Sequence, residues 1–334
     1  MIVKNEADKI EKILTDIENH VDEIIIADTG SDDNTIELCR KYTSKIYEIP
    51  WKDDFSYARN FCIPCTTTDY IIWLDADDRV SEENARRIGM LRNTLPEDRR
   101  MAGFFNIVNE IDATKKYRSQ QLRLFPRERR KDGFWDIYWE GRIHEQISRT
   151  IAQCGIETFS MPITINHLGY TSPKMVKEKQ TRNLKLLMLQ YNEKKNPDVV
   201  FHIAASLFIL GRQEESYEYI KEVREMKLQP WYNSSAFLAA DCLGSMKRYD
   251  ELTPIMEETV SKDPENPLLH YATARVYMEA GDMSNVLKHI ALAKKYPVPA
   301  NSFFPVPTNI NERIDELYGE AMKWQTPKPL SITV

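Results

Sequence analysis

The run Trp73-Leu-Asp-Ala-Asp-Asp78 places three carboxylates within four residues, directly behind a short apolar stretch. Like charges this close repel, and folding alone does not favour gathering them at a strand end. A divalent cation removes that cost. Hard oxygen ligands suit Mg²⁺ or Mn²⁺, either of which keeps positions open for substrate phosphates. A calcium loop is excluded, because Val80 stands where its turn glycine belongs and Arg86 where its closing glutamate belongs. A phosphatase with an aspartyl nucleophile needs its Asp-x-Asp on the first strand and Thr or Val where Arg79 stands. The competing reading is an acidic helix start, with Asp77 and Asp78 ahead of a helix capped by Ser81. Alone, so short a motif does not separate the two.

Other segments carry chemistry-bearing residues in similar positions. In Asp28-Thr-Gly-Ser-Asp-Asp-Asn-Thr35, Gly30 permits a tight turn, and Asp33 or Thr35 can cap the following helix. Asp28 could accept a hydrogen bond from a base N–H, or the segment is a plain strand-to-helix turn. In Trp51-Lys-Asp-Asp-Phe-Ser-Tyr-Ala-Arg-Asn60, Arg59 could reach a phosphate near a helix start or snorkel along a solvated face, with Asn60 bonding locally. His144 and Glu145, between Ile143 and Ile147, form either a general base with its neighbour or a structural pair. His167 follows Ile163-Thr-Ile165 and is a metal ligand or a core histidine. Arg127-Glu-Arg-Arg-Lys131 reads as a solvated loop, while Arg123 and Arg127 could greet an acidic acceptor. Cys62-Ile-Pro-Cys65 lacks a second pair and reads as helix core.

The elements that must position these residues are legible as a pattern. Apolar runs at Met1–Val3, Glu23–Asp28, Lys45–Ile49 and Tyr70–Leu74 alternate with helical periodicities through Ile10, Ile13, Leu14 and Ile17, then Ile36, Cys39 and Tyr42. Ser81, with Glu82 and Glu83 behind it, opens a helix that turns Ile88, Leu91 and Leu95 inward. Such alternation predicts a mostly parallel sheet whose ligands sit at the strands' carboxyl ends. From Met101 to Tyr170, strand-like Phe104–Asn109 and Gln121–Phe125 and a Trp-containing stretch from Phe134 to His144 predict sheet extension and covering loops. After Pro173 the chain reads as all-helical. Segments from Phe201, Phe237 and Tyr271 repeat, with Gly211, Lys247 and Gly281 in register 36 and 34 residues apart. A period near 34 with small residues and a Gly-centred turn is tetratricopeptide-like.

Composition narrows the classes. The 334 residues are 42% apolar and 29% charged, an ordinary globular balance for about two domains. A net charge of −6 argues against a general nucleic-acid binder. Five scattered cysteines make no disulfide framework, and no apolar run is long enough for a membrane span. Neither a Gly-x-Gly-x-x-Gly nor a Walker loop is present, which disfavours dinucleotide and ATP chemistry. The expectation is a soluble, cytoplasmic protein.

Met1-Ile-Val-Lys-Asn-Glu6, Asp28-Thr-Gly-Ser-x-Asp33, Asp54-Phe-Ser-x-Ala-Arg-Asn60 and Asp75-Ala-Asp77, in that order, resemble family 2 glycosyltransferases of the GT-A fold. Gly141-Arg-Ile-His-Glu145 and His167-Leu-Gly-Tyr170 extend the likeness, as does a tetratricopeptide-like tail. Within the family, the chain resembles sublancin-type S-glycosyltransferases, which glycosylate a peptide cysteine. Lipopolysaccharide-core glucosyltransferases share the front-end motifs. The resemblance implies a Rossmann-like GT-A domain over 1–170 and a helical repeat domain over 171–334. It implies a UDP-sugar pocket lined by Val3, Lys4, Asn5, Glu6, Asp28, Arg59, Asp75 and Ala76. Asp28 would contact uracil, and Arg59 the nucleotide or its phosphates. Asp77, Asp75 and His167 would hold Mg²⁺ or Mn²⁺, and Glu145, or else His144, would be the base of an inverting transfer. The acceptor would be a peptide side chain, Cys or Ser, presented by the helical repeats, which could also form a homodimer. A glycan acceptor and a non-catalytic scaffold are the alternatives. Against the family pattern, the first strand is short by several residues, which predicts lost ladder bonds there.

Overall fold

A computed structural model describes residues 1–98, 100–110, 116–128, 136–168, 173–298, 306–307 and 309–325. It divides into two compact units, Met1–Val176 and Lys177–Val334. Trp135, Arg129–Lys131 and Gly169-Tyr170, all singled out in the sequence, lie outside the described residues.

In the first unit, β1 (Ile2–Val3), β2 (Ile26–Asp28) and β3 (Ile46–Glu48) pair in parallel in the order β1-β2-β3. Val3 lies opposite Asp28, and Asp28 opposite Glu48, so the residues leaving each strand emerge at one edge. The connecting helix α1 (Ile10–Ile17) buries Ile10, Ile13, Leu14 and Ile17, the single stripe that its spacing dictates. Helix α2 spans Thr35–Cys39, and α3 spans Phe55–Cys65 with Asp54 as its cap, accepting from the Tyr57 amide. Helix α4 (Glu82–Met90) begins as expected at Ser81, whose hydroxyl accepts from the Asn84 amide.

The pairing changes at β4 (Tyr70–Ile72). β4 pairs antiparallel with β7 (Lys116–Pro126), in a mixed sheet of order β4-β7-β6-β8-β5, where β5 is Asp78–Arg79, β6 Met101–Glu110 and β8 Glu157–His167. β6 and β7 form a long hairpin, while β6 and β8 run parallel. The antiparallel β5–β8 register sets Asp78 opposite His167 and Arg79 opposite Asn166. That register delivers a histidine 89 residues away to the acidic run. Val3, Ile26, Leu74, Phe105, Leu124 and Ile165 are among the buried residues that join both sheets into one core. Helix α5 (Ser148–Gln153) follows the loop that carries His144 and Glu145.

The described part of the second unit is mostly helical. α6 (Pro173–Glu193) leads into α7 (Pro197–Ile209), α8 (Gln213–Glu225), α9 (Trp231–Ser245), α10 (Tyr249–Lys262), α11 (Pro267–Ala280), α12 (Met283–Lys295) and α13 (Ile310–Gln325). Gly211, Lys247 and Gly281 sit at the α7–α8, α9–α10 and α11–α12 turns with φ of 79°, 58° and 82°. After each, the amide of the next residue bonds back five residues, from Arg212 to Leu207, Arg248 to Leu243 and Asp282 to Tyr277, at 2.9–3.0 Å. These are three copies of one Schellman stop, at the positions the repeat period marks. Buried Ala204, Ala236 and Ala239 lie with Leu243, Leu252 and Leu269 in the apolar core of the array.

Candidate active site

The carboxylates of Asp75, Asp77 and Asp78 and the His167 ring each offer a ligand atom, and these four atoms lie within 4.8 Å of one another. The three acids differ in surroundings. Asp78 is fully buried; its Oδ2 accepts from the Asp75 amide and from Arg123 Nη1, both at 2.9 Å, and its Oδ1 faces His167 Nδ1 at 2.9 Å. Asp75 Oδ1 accepts from Arg59 Nη2 at 3.1 Å, and its Oδ2 lies 3.8 Å from Arg123 Nη2. Asp77 Oδ1 stands 3.5 Å from His167 Nδ1.

Electrostatics follow from this layout. Burial would raise the Asp75 carboxyl, but the Arg59 and Arg123 guanidiniums outweigh it and hold the group down to about 2. Burial disfavours a charged His167, yet the hydrogen bond with Asp78 and the charges of Asp77, Asp78 and Asp75 leave its pKa above the ordinary histidine value. Three oxygen donors with one imidazole are a set that Mg²⁺ or Mn²⁺ accepts, the nitrogen suiting Mn²⁺ better. Asp77 and His167 are the members not ion-paired to an arginine among the described contacts.

The segment after β1 is stitched to the segment after β2. The Asn5 amide donates to Ser31 Oγ at 2.9 Å, and Asn5 Oδ1 accepts from the Asp32 amide at 2.9 Å, with Asn5 in the left-handed region at φ 55°. The Glu6 amide donates to Thr35 Oγ1 at 2.8 Å and the Ala7 amide to Asp33 Oδ2 at 3.2 Å. Burial pushes the Glu6 carboxyl up despite Lys9 at 3.1 Å, and the Asp77 charge pushes the same way. Val3 is buried with its carbonyl accepting from the Thr29 amide, Lys4 is exposed, and Ala76 is buried inside the acidic run. Asp28 is placed differently from an outward base contact. It is fully buried, with Oδ1 accepting from the Gly30 and Ser31 amides at 2.9 Å and Oδ2 from the Ser31 hydroxyl. Its carboxylate builds the turn.

Arg59 and Asn60 reach across the unit. Arg59 is 9% exposed, packs its guanidinium over Trp73 at 4.2 Å and Trp139 at 5.1 Å, and donates from Nε to Glu145 Oε1 at 2.5 Å. Asn60 exchanges two bonds with the Trp139 backbone, at 2.7 and 2.9 Å, rather than bonding locally. The Phe55 amide donates to the Arg142 carbonyl at 2.8 Å. The Asp-Phe-Ser-x-Ala-Arg-Asn segment thus fastens the loop holding Gly141 and His144, at φ 100° and 51°, and Glu145. Arg123, expected to greet an acidic acceptor, is instead 1% exposed, with its guanidinium 3.6 Å from the Trp73 ring centroid. An arginine between two leucines in an apolar run was the available signal, because such a run marks a strand buried on both faces.

Residues 1–152 match the family model for glycosyl transferase family 2. That match takes in most of the first unit. The chain is 27% identical over 305 residues to the SPbeta prophage-derived glycosyltransferase SunS of Bacillus subtilis, an alignment covering 87% of this chain and 68% of that one. It is 32% identical over 176 residues to a TPR repeat-containing protein of Synechococcus elongatus, covering 51% and 41% of the two chains. Among solved structures, MamA of Desulfovibrio magneticus RS-1 matches with a TM-score of 0.31 at 15% identity, covering 45% of this chain and 93% of that one. On the family 2 match and the SunS alignment the chain is a glycosyltransferase, with the matched unit carrying the acidic cluster and a mostly helical unit following it.

Proposed function

We propose that this glycosyltransferase moves a sugar from a UDP-sugar to a peptide side chain, with inversion and with Mg²⁺ or Mn²⁺ bound at Asp77, Asp75 and His167. The observation that carries the reading is the convergence of Asp75, Asp77, Asp78 and His167 from two elements that are distant in sequence. When bound, the cation offsets the charge that collects on the departing nucleoside diphosphate. Val3, Lys4, Asn5, Glu6 and Ala76 line the nucleotide's side of the cluster. Glu145 is the proton acceptor, with His144 beside it as the second choice. A thiol reaches its thiolate near neutral pH and depends least on a protein base, so a cysteine acceptor fits better than a serine. The helical repeats, reading from about residue 171, present the acceptor. The five cysteines are unpaired, in keeping with a reducing, cytoplasmic setting.

Calorimetric titration with UDP-glucose, UDP-N-acetylglucosamine and UDP-galactose tests this, each with Mn²⁺, Mg²⁺ or chelator. Binding of one donor that chelator abolishes is the expected result. Donor binding unaffected by chelator and by Asp77→Ala would overturn the metal assignment, and binding of no donor would overturn the UDP-sugar reading.

A further inference from the structure

Trp73 is faced by two arginines, and each arginine holds carboxylates of the cluster. Arg123 lies 3.6 Å from the ring centroid and ion-pairs Asp78 at 2.9 Å. Arg59 lies 4.2 Å from it, with Trp139 at 5.1 Å, and forks between Asp75 at 3.1 Å and Glu145 at 2.5 Å. The Trp73 indole N–H is itself fixed to the Leu122 carbonyl at 2.7 Å. A guanidinium has a rigid planar fork of donors, so the carboxylates bound to its two arms have a fixed mutual geometry. Packed over the Trp73 ring and 9% exposed, the Arg59 side chain has little room to swing out. Arg59 is therefore badly placed to bind a diphosphate and well placed to set the separation of two acids.

We propose that Arg59 is a positioning residue for the transfer, holding the acceptor-side carboxylate Glu145 at a set distance from the donor-side carboxylate Asp75, with Trp73 and Trp139 as its platform. Arg123, also over the Trp73 ring, holds Asp78 in place beside it. The inference rests on the donor and base assignments made above and adds what links them. The sequence reading gave Arg59 to the nucleotide, whereas this geometry gives it to the two acids.

The test uses Arg59→Lys and Glu145→Gln, singly and together, in the full chain. Lysine keeps the charge and loses the fork. UDP affinity in the presence of Mn²⁺ should stay within about twofold, while turnover at saturating donor drops about 10–100-fold, the usual effect of losing a residue that orients a functional ligand. Combined with Glu145→Gln, the Lys variant should add little further loss, because both changes break one coupled unit. A tenfold or greater weakening of UDP affinity with unchanged saturated turnover would overturn the proposal and return Arg59 to the phosphates. A readout independent of turnover is the Arg59 Nε–H resonance, expected to exchange slowly with water and to shift in Glu145→Gln. Rapid exchange in the wild type would overturn the proposal even if transfer is normal. If the wild type transfers no sugar but the resonance behaves as expected, the donor reading fails and the clamp stands. If Arg59→Lys does not fold, the Glu145→Gln shift decides the matter.

Discussion

Asp77 and Asp78 are chain neighbours with opposite surroundings. Asp78 has no exposed surface and is bound by the Asp75 amide, Arg123 and His167, whereas Asp77 is half-buried, 3.5 Å from His167. Removing one partner of a buried ion pair leaves the other charge uncompensated, so Asp78→Asn should destabilise the first unit by about 3 kcal/mol, measurable by thermal unfolding. Asp77→Asn should leave stability within about 0.5 kcal/mol. Transfer should nevertheless fall about 10²–10³-fold, the scale seen when a group opposing developing charge is lost. Equal losses of stability in both variants would show that the two acids share one structural role. The sequence brought these acids into view as a group but did not separate them. Their difference depends on Arg123, which reaches Asp78 only through the β4–β7 pairing, and no local pattern near Asp78 reports that register. Arg59 was likewise visible as a cation near a helix start, yet its partner Glu145 lies 86 residues away.

At the level of elements, what was legible is what short-range chemistry dictates. The Ser81 cap, the α1 stripe and the strand ends behind Val3 and Asp28 follow from local pattern. The parallel pairing of β1 to β3 followed from alternation with helices, while the switch to antiparallel pairing at β4 depends on a hairpin formed later in the chain. The repeat turns were legible because a left-handed residue must end each first helix, and glycine fills two of the three positions. Lys247 holds the same conformation with a Cβ, at φ 58°. Lys247→Gly should therefore stabilise the helical unit by about 0.5–1 kcal/mol, and Gly281→Ala should destabilise it by about 1 kcal/mol, both read from denaturant midpoints. A destabilised Lys247→Gly would mean that the lysine's contacts outweigh backbone strain. A pH effect belongs to the α8–α10 contact. The hydrogen bond from Lys262, then Tyr232 and Arg224, holds the Glu258 carboxyl down to about 2 against an ordinary 4.5. Its contribution is complete above pH 4.5 and is lost as pH falls toward 2, because the unfolded chain takes up the proton first. Glu258 is 53% exposed, so solvent screening keeps this below about 1 kcal/mol. Glu258→Gln should flatten the stability curve in that window, and molar salt should shrink the difference from wild type.

For the whole molecule, the question is how labour divides between the family 2 unit and the helical one. Among the described residues, the acid–histidine group able to hold a cation lies in the first unit. No described helix is long and apolar enough to cross a membrane. What the helices offer instead is a repeated surface built on α7, α9 and α11, the feature the period near 34 made legible, while no pattern in the chain named its occupant. The proposed division predicts two separable footprints in hydrogen exchange on the intact protein. UDP with Mn²⁺, at about 100 times its dissociation constant, stabilises the state that binds it by about 2.7 kcal/mol. Amides of β1, β4, β5 and the end of β8 that exchange through unfolding of that unit should slow by about 100-fold, and Asp77→Asn should erase the effect. A cysteine-containing acceptor peptide should instead protect α7, α9 and α11. If the peptide protects the first unit alone, the helical repeats do not present the acceptor and their surface serves some other partner. If no donor footprint appears in the first unit at that saturation while the peptide still becomes glycosylated, the assignment of the donor to the acid–histidine group fails.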